Sequence, residues 1–146
     1  MINIFIDTTG SMSVMGKNSG AIYIAKSIED YCSRVNIETT FYKLNNTKIE
    51  DLTTLIFEDS FLVYEFNNCE NSILISDGLF ECSQENIFDI SFLIGIDADE
   101  NNLEKLSDKV YKCENIISAL EYLIFKSSIK NHSNNNTKQE EDDDEW

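Results

Sequence analysis

Three short apolar runs, each of which ends at an aspartate, limit the folds open to this chain more than any other feature of its sequence. They are Ile2–Ile6 before Asp7, Ser72–Ser76 before Asp77, and residues 90–96 before Asp97. A continuous apolar run that a polar turn stops is typical of a strand buried on both faces. Such strands form parallel sheets that helices cover on both faces.

The segments between these runs carry the periodicity of helices. Between residues 19 and 35 the apolar side chains recur at intervals of three and four, which indicates an amphipathic helix. Residues 103–106 predict a short helix and residues 116–124 a closing one. We also predict a mostly helical segment over residues 55–66 and a short crossover helix over residues 83–88.

A hairpin is expected at one edge of the sheet. Residues 37–44 are rich in β-branched and aromatic side chains, and Asn45-Asn46 is a favourable turn pair before residues 47–52. A brief strand is expected near residues 110–113. We therefore predict an α/β fold with a doubly wound, mostly parallel sheet, helices on both faces and one antiparallel edge strand.

The length and the net charge of the chain limit its domain organisation and the classes of partner that it can bind. The chain has 146 residues, about one ordinary domain, which we place at residues 1–130. Residues 131–146 predict a disordered acidic tail, in which Trp146 is an aromatic recognition residue. The net charge of −16 disfavours nucleic acid and anionic membranes as partners, and no stretch is apolar enough to span a membrane.

The four cysteines favour a reducing compartment. Cys32, Cys69, Cys82 and Cys113 are dispersed and form no C-x-x-C pair, so a structural zinc site is not expected. We expect small buried thiols in a cytoplasmic protein. The N-terminus has no basic region followed by an apolar run, so no targeting signal is expected there.

Oxygen-bearing side chains collect where the first strand ends. Asp7, Thr9 and Ser11 alternate along a turn in which Gly10 permits the bend. Hard oxygen ligands of this kind suit Mg²⁺, and Asp77 would add a second carboxylate if its strand lay beside the first. Ligands of doubly wound sheets bind beyond the carboxyl ends of the strands, where the winding reverses. The alternative is that both segments are ordinary polar turns.

Three segments together resemble the von Willebrand factor type A (vWA) domain family. Residues 5–12, Phe-Ile-Asp-Thr-Thr-Gly-Ser-Met, closely resemble its D-x-[ST]-x-S-M start, and residues 73–78 resemble its apolar strand ending in S/T-D-G. Residues 92–97 are similar to its I-G-I-G strand. The resemblance covers about residues 1–128.

The resemblance implies a metal-ion-dependent adhesion site. Thr9 and Ser11 would give their hydroxyls to Mg²⁺ or Mn²⁺, while Asp7 and Asp77 would act mostly through waters. The family also uses a threonine from a loop before the Asp-Gly strand. The chain lacks the usual glycine-bearing loop there and offers two loosely fitting candidates, Thr53 and Thr54.

Such a site leaves one coordination position for a glutamate or aspartate of another protein. The resemblance therefore predicts a divalent-metal-dependent protein–protein interaction module rather than an enzyme. Small intracellular members of the family commonly serve as adaptors beside AAA+ ATPases or in bacterial multi-gene systems, and we expect a partner of that kind. The expected partner contacts are Met12, Gly78 and Trp146.

Two alternatives stay open. One is a small Mg²⁺-dependent phosphohydrolase of the haloacid-dehalogenase kind, with Asp7 as its nucleophile. Such enzymes carry a second aspartate where this chain has Thr9, no lysine is evident near the site, and the single histidine, His132, lies in the tail. The other alternative is a metal-free interaction module in which the site is degenerate.

Overall fold

The computed structural model describes residues 1–60, 66 and 70–143, and the side chains of these residues up to 129. Within these residues, nine regular elements follow one another. They are β1 (Ile2–Ile6), α1 (Lys17–Arg34), β2 (Thr39–Lys43), β3 (Lys48–Ile49), β4 (Ser72–Ser76), β5 (Phe88–Leu93), α2 (Glu100–Leu106), β6 (Ser107–Lys112) and α3 (Ile116–Asp143). Short 3-10 turns lie at Gly10–Ser13, Leu52–Thr54 and Cys113–Asn115.

The described strands form one sheet in the order β3-β2-β1-β4-β5-β6. Each neighbouring pair is parallel except β2 and β3, which confirms the predicted antiparallel edge strand. From β1 the chain first adds strands on one side and then crosses to add β4 on the other side. The winding therefore reverses at β1, where Ile6 lies opposite Ile75 of β4.

The face of the sheet that carries α1 and α3 holds the larger core. Ile4 and Ile6 of β1 contribute to it with Ile73 and Ile75 of β4, as the two-residue repeat of strands requires. They pack with the buried apolar stripes of the two helices, which are Ala21, Ile24, Ala25 and Ile28 in α1 and Ala119, Leu120 and Leu123 in α3.

The opposite face carries the short helix α2. Phe5 and Leu74, which alternate with the residues named above, pack there with Leu103 and Leu106 of α2. The ring of Phe66 lies edge-on to Phe88, with 5.1 Å between the ring centroids, and belongs to the same cluster. Helices thus lie on both faces, as predicted.

Two helix predictions are wrong. Residues 55–60 are irregular, and Asp59 forms an isolated bridge with Thr9; residues 61–65 lie outside the described part. Residues 83–87 are also irregular, because the N–H groups of Asn86 and Ile87 donate to carbonyls at the end of α2, at 2.9 and 2.8 Å. Strand β5 also ends before residue 96, since Gly95 turns the chain with a φ of 93°.

The last helix runs past the predicted domain boundary. The backbone is helical to Asp143, although the sequence predicts a disordered tail from residue 131, and Trp146 lies outside the described residues. The division of the chain at residue 130 stays a prediction. Within the described residues, no helix combines the length and the apolar character needed to cross a bilayer.

The described cysteines are free thiols in two environments. Cys32 and Cys82 are buried, as expected, whereas Cys113 is exposed, so the expectation of a buried thiol is wrong there. Burial raises the pKa of the Cys32 thiol, which keeps it protonated and unreactive. Cys69 lies outside the described residues.

Candidate metal site

Two buried carboxylates meet where the winding of the sheet reverses. Asp7 follows β1 and Asp77 follows β4, and both side chains are fully buried. The N–H of Asp7 donates to the carbonyl of Ile75 at 2.9 Å, so β1 stays paired with β4 up to this point. The predicted adjacency of the two strands is therefore confirmed, and it brings both aspartates to the same edge of the sheet.

Hydrogen bonds hold the carboxylate of Asp7 from both sides. Its Oδ1 accepts from the N–H of Thr9 at 2.9 Å and from the Thr9 hydroxyl at 2.6 Å. Its Oδ2 accepts from the Ser76 hydroxyl at 2.6 Å. Burial raises the pKa of Asp7, and the charge of Asp77 acts in the same direction, while the hydrogen bonds from Ser76 and Thr9 oppose the rise.

The hydroxyls of Thr9 and Ser11 converge in front of this carboxylate. Their oxygens lie 3.2 Å apart. Two adjacent ligands of an octahedral Mg²⁺, each about 2.1 Å from the ion, lie about 3.0 Å from one another. Because the Thr9 hydroxyl donates its only proton to Asp7, it accepts the hydrogen bond from Ser11 and keeps a second lone pair for a cation. The spacing and the chemistry of these donors fit a divalent ion.

The two threonines predicted as further ligands lie elsewhere. Strand β3 runs antiparallel to β2, so the chain leaves it toward the amino ends of the parallel strands, away from Asp7. The hydroxyls of Thr53 and Thr54 donate to the side chain and the carbonyl of Asp51, at 2.6 and 3.2 Å. The structure does not bring them to the cluster, and Thr53 instead lines a cavity beside the middle of α1, near Lys26.

Among the described residues of the same connection, Asp59 contacts the loop after β1. Its Oδ2 accepts a hydrogen bond of 2.5 Å from the hydroxyl of Thr8. Its N–H donates to the Thr8 carbonyl at 3.0 Å, and its carbonyl accepts from Gly10 at 3.1 Å. These bonds fix the loop that presents Thr9 and Ser11. The sequence pattern does not single out Asp59, since a helix was predicted there.

A lysine completes the cluster, although the sequence gives no evident sign of it. Lys17 is the first residue of α1, and its side chain is only 1% exposed. Its Nζ lies 3.2 Å from Asp77 Oδ2 and 2.7 Å from Asp97 Oδ1. Burial works to lower the pKa of Lys17, but the hydrogen bonds to Asp97 and Asp77 outweigh it and raise the pKa. The hydrogen bond from Lys17 lowers the pKa of Asp97.

Two of the three expected partner contacts are buried in the described structure. Met12 is fully buried in the core beside α1, so its predicted role as a partner contact is wrong. Gly78 is also buried and has a φ of 72°. A Cβ on Gly78 would lie 2.5 Å from the carbonyl oxygen of Asp99, which indicates a structural requirement for glycine. Trp146 stays a prediction.

The fold and the site define an α/β protein with a cluster of carboxylates, hydroxyls and one lysine. The cluster lies at the switch point of the sheet, which is the place between β1 and β4 where the winding reverses. No protein-family model matches the chain, and the search of curated proteins finds no match. In the described part of the chain, no group of three or more His, Cys, Asp or Glu side chains is placed to hold a metal ion. Any metal at this site would therefore depend on the hydroxyls of Thr9 and Ser11.

Proposed function

We propose that the chain is a vWA-like module that binds another protein through Mg²⁺ or Mn²⁺. Thr9 and Ser11 would hold the ion directly, and Asp7 and Asp77 would balance its charge. The observation that carries the proposal is the 3.2 Å spacing of the two hydroxyl oxygens in front of a buried carboxylate. The bound ion would supply a coordination position for an aspartate or glutamate of the partner.

The charges at the site support this proposal. Asp7 and Asp77 are fully buried, and Lys17 is the one buried cation among the described residues. Lys17 contacts Asp77 but makes no described contact with Asp7, whose bonds come from uncharged groups. A buried carboxylate without a cation is costly. A divalent ion in front of Thr9 and Ser11 would remove that cost.

Removing one hydroxyl tests the metal site. In Ser11→Ala we expect at least about a ten-fold loss of affinity for Mn²⁺, because a directly coordinating oxygen is lost. The measurement is the decrease of the free Mn²⁺ signal in electron paramagnetic resonance during titration. Ser13→Ala is the matched control, since Ser13 lies in the same turn and its hydroxyl donates to the Gly10 carbonyl instead. Equal affinities of both variants would contradict the proposal.

Exposed apolar side chains beside the cluster favour a protein as the partner. Val14 and Met15 precede α1, Leu79 follows Asp77, and Ile96 stands 95% exposed after β5. Lys17 holds these three loops together through Asp77 and Asp97. Exposed apolar side chains that are grouped on a surface favour burial against another protein, and these four residues are called the rim below. The carboxylate donor would come from an AAA+ ATPase or another component of a bacterial multi-gene system.

Ile96→Ser tests the rim separately from the metal. We expect about ten-fold less partner captured from cell extract in Mg²⁺, with Mn²⁺ affinity unchanged, because an exposed isoleucine contributes only to the interface. Ile117→Ser is the control, since Ile117 is 60% exposed at the start of α3. Quantitative mass spectrometry of the captured protein, with chelator as reference, gives the result. A similar loss in both variants, or none in either, would count against this rim.

The contacts of Lys17 favour a second candidate, an interaction module that works without metal. The ammonium of Lys17 already pairs with Asp77, so the site contains a cation of its own. Partner capture that is equally strong in Mg²⁺ and in chelator would favour this candidate over the first.

For the phosphohydrolase alternative, the structure places a lysine near the site but leaves Asp7 poorly placed to act as a nucleophile. Lys17 supplies the cation that was not evident in the sequence, yet it bonds Asp77 and Asp97. Asp7 is fully buried, and both of its carboxylate oxygens accept hydrogen bonds. A nucleophile must reach the phosphorus atom of its substrate, so this arrangement disfavours attack by Asp7.

A further inference from the structure

Lys17 occupies a position that neither helix formation nor packing explains. A cation at the first residue of a helix opposes the helix dipole, and a buried ammonium loses its hydration. Gly16, the residue before the helix, contributes no side-chain cap. The local cost of Lys17 must therefore be offset by its contacts with Asp77 and Asp97, at 3.2 and 2.7 Å.

The surrounding backbone is shaped to admit this side chain. Gly95 has a φ of 93°, and a Cβ on it would lie 2.7 Å from Lys17 Cε and 2.9 Å from Asp97 Oδ1. Any larger residue at position 95 would thus collide with the lysine and with its partner. The turn after β5 therefore leaves the space that the Lys17 side chain occupies.

The two carboxylates that face Lys17 differ in their other partners. Asp77 is fully buried; its Oδ1 accepts from the N–H of Leu79 at 3.1 Å, and its Oδ2 accepts from Lys17. Asp97 has a side chain that is 43% exposed, so water also solvates it. Asp77 thus depends on Lys17 for its charge balance far more than Asp97 does.

We propose that Lys17 is a resident counter-cation that competes with a divalent metal for the charge of Asp77 and thereby weakens metal binding, a role that rests on the proposed metal site. Asp77 and Asp7 belong to neighbouring strand ends, so a cation at Thr9 and Ser11 draws on both carboxylates. Lys17 already neutralises one of them. Its positive charge also repels the incoming metal. Metal affinity is therefore low until the carboxylate of a partner supplies the missing charge.

Lys17→Gln tests the competition, because glutamine removes the charge and keeps a side chain that hydrogen-bonds carboxylates. We expect Mn²⁺ to bind this variant at least about ten-fold more tightly than the natural chain, since one unit of positive charge near the ion is lost. Lys26→Gln removes the same charge from an exposed position on the same helix, and its affinity should change less than about two-fold. Electron paramagnetic resonance of free Mn²⁺ and metal-dependent thermal stabilisation give two independent readouts.

The outcomes separate this role from the proposed function. Binding of Mn²⁺ by both chains with no gain in Lys17→Gln overturns the competition alone. Binding by the variant and not by the natural chain supports it, and partner capture in Mg²⁺ compared with chelator then tests the proposed metal dependence of the natural protein. Binding by neither contradicts both. If Lys17→Gln folds only when Mn²⁺ is present, the metal has replaced the lysine, which supports the competition; if the metal does not restore folding, the competition is overturned.

Discussion

Replacing Gly78 with alanine is expected to lower the free energy of unfolding by about 2–4 kcal/mol, from the left-handed backbone and the overlap together. Its φ is 72°, and the added Cβ would lie 2.5 Å from the carbonyl oxygen of Asp99. That oxygen cannot move aside easily, because the N–H of Asp99 donates to the Asp77 carbonyl at 2.8 Å. The Asp99 side chain also caps α2 by accepting from Asn102 N–H at 3.1 Å.

Gly20→Ala is the matched control and should change stability in the opposite direction. Gly20 lies inside α1, and an added Cβ would meet nothing within 4 Å. Alanine is favoured over glycine in a helix interior by about 0.5–1 kcal/mol, so this variant should be more stable than the natural chain. Urea unfolding followed by circular dichroism measures both changes. A Gly78→Ala variant within about 0.5 kcal/mol of the natural chain would refute the conflict at Asp99, since surface changes of that size are ordinary.

The expected loss of stability in Gly78→Ala shows that the two residues of the Asp77-Gly78 motif have different roles. Asp77 carries charge to the switch point, whereas Gly78 lets the chain turn closely against Asp99 and so places the start of α2. A strand that ends in Asp-Gly can therefore reflect a structural need as well as a binding one. The motif alone does not distinguish these two needs.

The strands and the main helices were predictable because their burial leaves a local trace. A strand covered on both faces has an apolar centre, as residues 73–75 of β4 show, and the apolar residues of an amphipathic helix recur every three to four positions, as in α1. Residues 83–87 leave no such trace. Their backbone donors find acceptors at Lys105 and Leu106, about twenty residues away, so contacts distant in sequence decide their irregular conformation.

The site likewise contains residues that a local sequence pattern predicts and residues that contacts distant in sequence determine. Asp7 and Asp77 could be placed together because each ends an apolar strand, and parallel strands end at the same edge of a sheet. Lys17 could not be placed in the site from the sequence, because its partners lie 60 and 80 residues away and a lysine at the start of a helix usually faces solvent. The position of Thr53 depended on the direction in which the chain leaves β3, which residue types do not reveal.

Removal of Lys17 without a replacement donor is expected to cost the most stability. In Lys17→Met, measured with chelator present, the free energy of unfolding should fall by about 3–5 kcal/mol, because Asp77 is left buried with no cation. Lys126→Met is the matched control. Lys126 also contacts two aspartates, Asp89 at 2.8 Å and Asp108, but its side chain is 24% exposed. Because Lys126 is partly exposed and the side chain of Asp108 is 43% exposed, loss of these contacts should cost less stability than loss of Lys17.

The double variant Lys17→Met/Asp77→Asn identifies the cause. If the stranded charge of Asp77 carries the loss, removing that charge as well should restore most of the stability, and the two changes should be non-additive by about 2 kcal/mol or more. If the methionine only packs poorly beside Gly95, the double variant stays as unstable as Lys17→Met. Additive changes would also mean that Lys17 does not balance the charge of Asp77. The first result would establish that the switch point carries a buried ion pair in the absence of metal, which is the state that a divalent cation has to displace.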